Sequence, residues 1–252
     1  LHSVTRSKAG ATADALQSAE ERESAEAMAG AMGWGTIHRL WQMLLKGLQD
    51  VEVAPDPREA AEMALLRLIH AADMPDPASL IASARNYLAK GNAPAAIIEL
   101  KNALQTAPEN PDARFLLAKS LLDTGDAAGA ETEARKAIQL GYAPDEVYPV
   151  LARALLQQGE YRKLVAEVGD KSFTSPQAKA DVLTAVGLAR LALGDRPEAR
   201  AAINAALAAK PDDTRALVAQ AQVAAADNDV PGAMKMIDAA LAKAPDDVGA
   251  LL

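Results

Sequence analysis

Cysteine is absent from this sequence, and aromatic residues are scarce. Among the 252 residues there is no Cys, and Phe, Trp and Tyr together make up 3 %. The absence of Cys excludes disulfide bonds and thiolate chemistry, and it leaves the cellular compartment open. No stretch approaches the roughly 20 consecutive apolar residues that a membrane-spanning helix needs, so we predict no membrane span.

The beginning of the chain lacks the pattern of a signal peptide. Residues 1–10, LHSVTRSKAG, do not contain the apolar core of such a segment. The first residue is not Met, which is expected of a trimmed or partial chain. We therefore expect a cytoplasmic location for the chain as it stands, and an envelope or periplasmic one where a targeting segment has been removed.

The residue sets that support catalysis or metal binding are also missing. The three histidines, His2, His38 and His70, are too far apart in sequence to share one ligand face of a helix. Neighbouring carboxylates fall at expected turns and helix starts, where capping explains them. The glycines of GAMGWG (residues 30–35) follow no expected strand, so a phosphate-binding loop is not predicted. We predict a protein that is not an enzyme and that uses no metal or cofactor.

Small apolar residues dominate instead. Hydrophobic residues make up 50 % of the chain, and the net charge of −8 divides into −5 over residues 1–76 and −3 over residues 77–252. Neither part has the positive charge of a nucleic-acid-binding domain, so no direct binding to nucleic acid is predicted. Runs such as AAINAALAAK, with few β-branched residues and no alternating pattern, favour an all-α fold.

A repeat of about 34 residues runs through the second part of the sequence. Gly or Asn recurs at intervals of 34, 34, 35 and 34 residues, at Gly91, Gly125, Gly159, Gly194 and Asn228. Both residue types tolerate the positive φ that ends a helix, and the Asp or Glu nearby can begin the next one. Alanines at fixed distances after these turns predict a row of small residues where paired helices touch: Ala96, Ala130, Ala199, Ala233, Ala103, Ala137, Ala206 and Ala240.

This pattern resembles the tetratricopeptide repeat, a helix–turn–helix that stacks into a solenoid. The resemblance implies repeats near residues 77–110, 111–144, 145–179, 180–213 and 214–247, with a sixth beginning at 248. The third repeat loses the alanine row after Gly159 and contains a Ser/Thr/Pro break, so a shortened second helix is predicted there. The resemblance implies a protein that binds a peptide or protein partner in a concave groove.

Residues 87–161 carry features beyond the general repeat. Phrases such as AAIIELKNAL and ARFLLAKSLLDTGDAAGAE are similar to the tetratricopeptide proteins of bacterial exosortase and exopolysaccharide-export systems. That resemblance implies a scaffold on the envelope side of the cell.

The first 76 residues do not join the repeat. A helix is expected from about Asp14 after a polar start. A following helix has one apolar face, formed by Ile37, Leu40, Trp41, Leu44, Leu45 and Leu48. After Pro55 and Pro57, the segment REAAEMALLRLIHAA has the same apolar spacing. Two helices with matched apolar faces predict an αα-hairpin.

The hairpin segment is similar to the third domain of the bacterial DNA polymerase III clamp-loader tau/gamma subunit. The similarity rests on RLWQMLLKG and AAEMALLRL. In that family this helical collar joins subunits, so the resemblance implies self-association through residues 1–76, with Trp41, Leu44, Leu45 and Leu48 as candidate contacts. Trp41 has a second interpretation, as an anchor of the hairpin's own core. The family's phosphate loop and cysteine cluster are absent, so an incomplete collar is expected.

Three cations recur at the ninth residue of the first three repeats, at Arg85, Lys119 and Arg153. In tetratricopeptide arrays this position faces the groove, so the three predict a basic row along it. Phe115, Leu88, Leu122 and Leu156 lie on the same helices and are expected to add apolar surface. One interpretation is a groove for an acidic or carboxylate-ended segment. The other is that the cations pair with nearby acids such as Asp112, Asp123 and Glu146.

Two functions follow from the sequence. The first is a non-catalytic scaffold that binds a protein segment in the groove of the solenoid, in an export system of the bacterial envelope. The alternative is a fragment or fusion of a clamp-loader subunit, with residues 1–76 serving oligomerisation in DNA replication. A natural fusion, an engineered fusion and a gene-prediction join are equally compatible with the boundary near residues 76 and 77.

Overall fold

The structure, a computed structural model, describes residues 1–10, 18–73 and 76–243. Within these ranges it contains fourteen α-helices and no strand, which confirms the predicted all-α class. The chain divides into two compact units, Leu1–Ser83 and Ala84–Leu252. We call the first the N-terminal unit and the second the solenoid, and we describe each by itself.

The described part of the N-terminal unit contains four complete helices and the start of a fifth. The four are α1 (His2–Lys8), α2 (Ala19–Ala31), α3 (Trp34–Val53) and α4 (Pro57–Asp73). The sequence was expected to begin with a polar segment, but α1 forms there and buries Val4. The helix start expected near Asp14 lies outside the described residues. The helix that follows is capped by Ser18, whose hydroxyl accepts from the Glu21 N–H while the Glu21 carboxylate accepts from the Ser18 N–H.

Helices α3 and α4 pack together as the predicted αα-hairpin. Their contact is close because Gly47 is buried on α3, and a Cβ atom placed there would lie 2.8 Å from the Ala64 Cβ. A separate small core joins α1, α2 and α3 through Val4, Ala25, Ala29 and Ile37. Small residues therefore make the closest contacts of this unit.

The repeat helices follow in pairs: α5 (Pro77–Ala89), α6 (Ala93–Thr106), α7 (Pro111–Asp123), α8 (Ala127–Gln139), α9 (Pro144–Gln157), α10 (Tyr161–Val168), α11 (Pro176–Ala192), α12 (Arg196–Ala209), α13 (Thr214–Ala226) and α14 (Val230–Lys243). The boundary between the two compact units lies inside α5. The sixth repeat, expected from residue 248, lies outside the described residues. These helix pairs confirm the predicted helix–turn–helix solenoid.

The turns inside the pairs have the predicted backbone conformation. The φ angles are 72° at Gly91, 87° at Gly125, 74° at Gly159, 84° at Gly194 and 63° at Asn228. Only Gly adopts such angles freely, and Asn tolerates them better than most other residues. The 34-residue spacing therefore marks the place where each first helix ends.

The alanine row is buried as predicted. In the first, second and fourth repeats, Ala96, Ala130 and Ala199 have no exposed surface. The same is true of the alanines at the position seven residues later in the first, second, fourth and fifth repeats: Ala103, Ala137, Ala206 and Ala240. Because these side chains end at Cβ, adjacent helices approach closely and still fill the space between them. Ala233 is only partly buried.

The third repeat departs from the pattern. Its second helix, α10, has eight residues, whereas α8 has thirteen, so the predicted shortening is confirmed. The next helix, α11, begins at Pro176, four residues before the position expected for the fourth repeat. Residues 169–175 connect the two helices and form a longer link than the four residues between α8 and α9. This extra turn of α11 contributes to the surface described next.

Candidate functional site

The first helices of four successive repeats line an open groove in the solenoid. The groove has a volume of about 320 Å³ and is lined from α7, α9, α11, α13 and the residue before α11. We call it the first-helix groove, and its lining residues are Phe115, Lys119, Asp145, Glu146, Pro149, Val150, Arg153, Ser175, Gln177, Ala178, Asp181 and Arg215. It contains two of the three cations predicted from the repeat spacing.

Lys119 and Arg153 are the unpaired cations of the groove. Lys119 is exposed on α7 and Arg153 is half-buried on α9. Within the described part of the chain, neither side chain forms an ion pair or a hydrogen bond. Their charges are therefore available to a ligand, because no carboxylate of the described residues pairs with them.

Arg85 is placed differently from the other two cations. Its guanidinium donates to both carboxylate oxygens of Asp112, at 2.6 and 2.8 Å. It is not among the residues that line the first-helix groove. The interpretation as a paired surface cation therefore fits Arg85, while Lys119 and Arg153 match the interpretation as groove cations.

An apolar floor lies between the charged residues of the groove. Phe115, Pro149 and Val150 supply it. Phe115 is held by stacking on Tyr142, with ring centroids 4.4 Å apart and planes 19° apart. Burial and the charges of Glu146 and Asp112 raise the pKa of Tyr142 to about 12, so its hydroxyl stays neutral and donates to Glu146 at 3.3 Å.

The four predicted apolar side chains do not contribute equally. Phe115 is 8 % exposed and lines the groove. Leu88 and Leu156 are partly buried and lie outside the groove lining. The expectation that Leu122 adds surface is wrong, since it is only 3 % exposed. The physical reason is that α7 packs against α6, α8 and α9, which enclose most of its circumference.

Three acidic residues also line the groove: Asp145, Glu146 and Asp181. The carboxylate of Asp181 pairs with Arg215, whereas the exposed Glu146 accepts one hydrogen bond, from Tyr142. Asp145 accepts from the Thr174 N–H at 3.2 Å, from the Thr174 hydroxyl, and from the Ser175 N–H at 2.8 Å. The hydrogen bond from the Thr174 hydroxyl lowers the pKa of Asp145, with further help from the two backbone N–H groups.

The contacts of Asp145 hold residues 169–175 against α9. In the same segment the Phe173 ring meets the Tyr148 ring edge-on at 6.0 Å, and the Lys171 ammonium lies 5.7 Å from the centre of the Tyr148 ring. Ser175 then caps α11 by accepting from the Ala178 N–H. The segment thereby positions the first turn of α11, which forms one wall of the groove.

Sequence reasoning missed that wall of the groove. The 34-residue phase placed the fourth repeat at residue 180, so Gln177 and Ala178 were not expected in a first helix. The local sequence Ser175-Pro176 carries the signal, because Ser at the N-cap followed by Pro at the first helical position is a typical helix start. Asp181 and Arg215 pair across two helices, and nothing in the repeat spacing indicates that contact.

The candidate self-association residues lie on α3 of the N-terminal unit. The Trp41 indole donates to the Thr5 hydroxyl at 3.0 Å and packs against the small core of this unit. These contacts match its interpretation as a core anchor. Leu44 is partly buried, whereas Leu45 and Leu48 are each 54 % exposed. The predicted apolar face is thus divided between a buried and an exposed portion.

Comparison with protein families supports two of the resemblances seen in the sequence. The family described as DNA polymerase III subunits gamma and tau domain III matches residues 1–83. Two tetratricopeptide repeat families match residues 87–148 and residues 185–248. The similarity to export-system proteins stays a prediction. A search of curated proteins gives no match.

Solved structures show the same fold for the repeat part. A tetratricopeptide protein of Thermus thermophilus, TTC0263, has a TM-score of 0.58 at 22 % identity, covering 69 % of this chain and 95 % of that one. PilF of Pseudomonas aeruginosa has a TM-score of 0.55 at 20 % identity, over 69 % of this chain and 79 % of PilF. MamA of Desulfovibrio magneticus RS-1, from residue 41, has a TM-score of 0.54 at 18 % identity, covering 69 % of this chain and 99 % of the MamA chain.

One further property concerns membranes. Among the helices in the described ranges, none combines the length and the apolar character that crossing a bilayer requires.

Proposed function

We propose that this chain, in which a segment similar to gamma and tau domain III precedes tetratricopeptide repeats, is a scaffold that binds a protein segment in the first-helix groove. The observation that carries the proposal is the pair of unpaired cations, Lys119 and Arg153, beside the apolar floor around Phe115. Such an arrangement suits a carboxylate next to an apolar side chain, since the charge-assisted hydrogen bonds are strengthened near apolar surface.

The repeat architecture supports a role in binding. Tetratricopeptide repeats present a continuous surface built from successive first helices, and such solenoids generally act as non-catalytic interaction scaffolds. Here α7, α9, α11 and α13 together contribute side chains to one groove. A bound segment would therefore contact several repeats at once, and its affinity would depend on the spacing between them.

The binding test uses the complete 252-residue chain and a short peptide with blocked ends. The probe carries one Leu two positions from one Glu, with Gly elsewhere, and isothermal titration calorimetry avoids a charged dye. We expect Lys119→Glu with Arg153→Glu to weaken binding by about tenfold or more, since two attractive contacts become repulsive.

The matched control reverses two exposed cations on second helices. Lys101 on α6 and Arg162 on α10 are exposed, lie outside the groove and form no ion pair among the described residues. Lys101→Glu with Arg162→Glu makes the same change in net charge and is expected to leave peptide affinity within about twofold. Equal loss in both double variants would show a general charge effect and overturn the proposal.

The export context gives a first choice of natural partners. The likeness of residues 87–161 to tetratricopeptide proteins of exosortase and exopolysaccharide-export systems supports an envelope-side partner with an exposed carboxylate-bearing segment. The groove double variant and its control should differ in binding to such a partner as they do with the peptide. Binding that survives Lys119→Glu with Arg153→Glu would place the partner elsewhere on the chain.

A second candidate function is self-association through the N-terminal unit. The observation that favours it is the exposure of Leu45 and Leu48 on α3, together with the match of residues 1–83 to gamma and tau domain III. Exposed aliphatic side chains that are close together on one helix are typical of an interface. This interpretation supports oligomerisation in a replication assembly.

Size-exclusion chromatography with light scattering tests this candidate. If the exposed leucines form the contact, Leu45→Glu with Leu48→Glu converts a discrete oligomer into a monomer. The control is Gln49→Glu, which adds a carboxylate at an exposed position on the same helix and should leave the mass unchanged. A wild-type monomer over the micromolar range would exclude the contact.

A further inference from the structure

The side chains of α9 that face the groove are arranged in three levels. Asp145 lines the groove too, but its carboxylate is already bound by Thr174 and Ser175. Of the other four, Glu146 is acidic, Pro149 and Val150 are apolar, and Arg153 is basic. They are spaced by three or four residues, so they lie on one face of the helix. Since a helix rises about 1.5 Å per residue, Glu146 and Arg153 are roughly 10 Å apart along the helix axis.

Helix α7 repeats the same order of levels. Asp112, Phe115 and Lys119 are acidic, apolar and basic, with the same spacing of three and then four residues. Two chain reversals separate α7 from α9, so the two helices run in the same direction. The basic level therefore contains Lys119 and Arg153, and the opposite level contains Asp112 and Glu146.

Of the four charged side chains at these two levels, one already forms an ion pair within the protein. Asp112 is paired with Arg85. Glu146 is exposed, and among the described residues it accepts a hydrogen bond from the Tyr142 hydroxyl and pairs with no cation. On the basic level, Lys119 and Arg153 have no partner among the described residues. A ligand thus meets free positive charge at one level and free negative charge at the other.

We propose that the first-helix groove selects a mixed-charge segment, in which a carboxylate and a cation flank an apolar residue. The inference rests on the proposed function and sharpens its ligand. The carboxylate binds at Lys119 and Arg153, the apolar side chain packs on Phe115, Pro149 and Val150, and the cation meets Glu146. A segment with carboxylates at both positions meets repulsion at Glu146.

The length of such a segment fits an extended chain. Two residues four positions apart in an extended peptide are separated by roughly 13 Å, and flexible Lys and Glu side chains can span the roughly 10 Å between the charged levels. The residue midway between them lies at the apolar level. The core Lys-Gly-Leu-Gly-Glu therefore has the required spacing, and either chain direction preserves it.

The test compares three peptides with blocked ends by isothermal titration calorimetry on the complete chain at low ionic strength. The mixed-charge peptide has the core Lys-Gly-Leu-Gly-Glu, the diacidic peptide has Glu at both ends of the core, and the dibasic peptide has Lys at both ends. We expect the mixed-charge peptide to bind about fivefold more tightly than the diacidic one, and the dibasic one to bind weakest.

A charge reversal at the acidic level provides the decisive variant. Glu146→Lys should invert the ranking, so that the diacidic peptide binds about fivefold more tightly than the mixed-charge peptide. The control is Glu160→Lys, an exposed position before α10 whose side chain makes no capping hydrogen bond. It carries the same change in net charge and should keep the wild-type ranking.

The outcomes separate this inference from the function it rests on. If the wild-type protein binds the diacidic peptide as well as the mixed-charge one, the inference is wrong while the groove function stands. The same holds if Glu146→Lys leaves the ranking unchanged. If the mixed-charge peptide binds but Lys119→Glu with Arg153→Glu has no effect, the proposed groove function itself is wrong. Failure of all three peptides to bind overturns both.

Discussion

The two compact units bury their apolar residues in different ways. The solenoid packs helices through alanines with no exposed surface, and several of its leucines, such as Leu151 at 1 %, are buried between helices. The N-terminal unit leaves more large apolar side chains exposed, although it is half as long. Among the described residues these are Met28, Trp34, Leu45, Leu48, Val53, Met63, Leu65, Leu66 and Ile69, compared with five in the solenoid.

This difference shows what repetition contributes. In the solenoid, each helix pair covers the apolar face of its neighbour, so one row of alanines is sufficient for close contact along the array. In the N-terminal unit, α3 and α4 meet closely at Gly47 and Ala64, and no described element of that unit covers the outer faces of Leu65 and Ile69. The described part of the N-terminal unit therefore leaves more apolar surface exposed than the described part of the solenoid does.

The largest effect is expected from truncating a buried leucine of the solenoid. Leu151→Ala should reduce the free energy of unfolding by about 2–5 kcal/mol, because it removes transfer energy and leaves a cavity. The equivalent change in the N-terminal unit, Leu65→Ala at 57 % exposure, should change it by less than about 0.5 kcal/mol. Urea unfolding followed by far-ultraviolet circular dichroism measures both.

The same pair of variants has an informative contrary result. If Leu65→Ala destabilises the protein as much as Leu151→Ala, then the apolar face of α4 is covered in solution. Both tryptophans, Trp34 and Trp41, lie in the N-terminal unit, so their emission reports the unfolding of that unit alone. If Leu65→Ala lowers the unfolding midpoint measured by Trp emission and not the one measured by circular dichroism, the covered surface belongs to the N-terminal unit.

A second prediction concerns the alanine row. Ala137→Leu should cost about 1–3 kcal/mol of unfolding free energy, because the closely packed helices have no room for three more carbon atoms. Ala201 on α12 is exposed, and Ala201→Leu should stay within about 0.5 kcal/mol of the wild type. Thermal unfolding of the two variants in parallel checks this, and equal stability would show that the row is not the close contact.

The sequence predicted the solenoid better than the N-terminal unit for a physical reason. A repeat places the same contact in most of its five units, so Gly125 and Ala130 are recognised by their recurrence even though each is ordinary alone. The αα-hairpin occurs only once in the sequence, so no recurrence marks its contact residues. The apolar spacing of α3 alone does not distinguish buried Leu40 from exposed Leu45. Both lie on one apolar face, and the spacing does not show how much of that face the neighbouring helices cover.

For the groove too, the sequence predicted the residues that recur in the repeat and not those that occur once. The repeat spacing predicted Lys119 and Arg153 as groove cations. It also grouped Arg85 with them, because spacing does not show that Arg85 pairs with Asp112. The wall formed by the extra turn of α11 follows the irregular link of residues 169–175. The 34-residue period does not predict this link, because the link departs from the period. The sequence therefore indicated the cations and the nearby Glu146, and it missed Asp181 and the wall formed by α11.

A third prediction concerns that irregular repeat, where an ionic network joins α8 and α10. Glu131 accepts from Lys163 at 2.5 Å, from Gln158 at 2.7 Å and from Arg135 at 3.0 Å, and Arg135 also pairs with Glu167 at 2.7 Å. Burial opposes ionisation of Glu131, but these hydrogen bonds outweigh it and lower its pKa to about 2. The network therefore ties the short helix α10 to α8.

The pH dependence follows from the direction of this pKa shift. Because the folded-state pKa of Glu131 lies below its ordinary value of 4.5, its stabilisation is fully present above pH 4.5 and fades as the pH falls towards about 2. We expect Glu131→Gln to cost about 1–2 kcal/mol at pH 7 and to remove this component between pH 4.5 and 2. Urea unfolding at several pH values measures this component. If the free energy of unfolding falls equally for the wild type and for Glu131→Gln between pH 4.5 and 2, the network does not have this role.

The smallest effect is expected at the exposed pair of the first repeats. Arg85→Ala removes the ion pair with Asp112, in which the arginine side chain is 55 % exposed and the aspartate 34 %. Such pairs contribute about 0.2–1 kcal/mol, so the midpoint of thermal unfolding should fall only slightly. Peptide affinity should change little, since Arg85 does not line the groove. A loss comparable to that of Arg153→Glu would return Arg85 to the binding site.

The most direct test of the central claim measures where a ligand covers the solenoid. The complete chain is acetylated at its lysines with and without a near-saturating peptide that carries one Leu, one Glu and no Lys, and mass spectrometry follows each site. We predict that the peptide slows acetylation of Lys119 at least about threefold and leaves Lys101, on the second helix α6, unchanged. Unchanged reactivity of Lys119 in the bound protein would contradict binding in the first-helix groove.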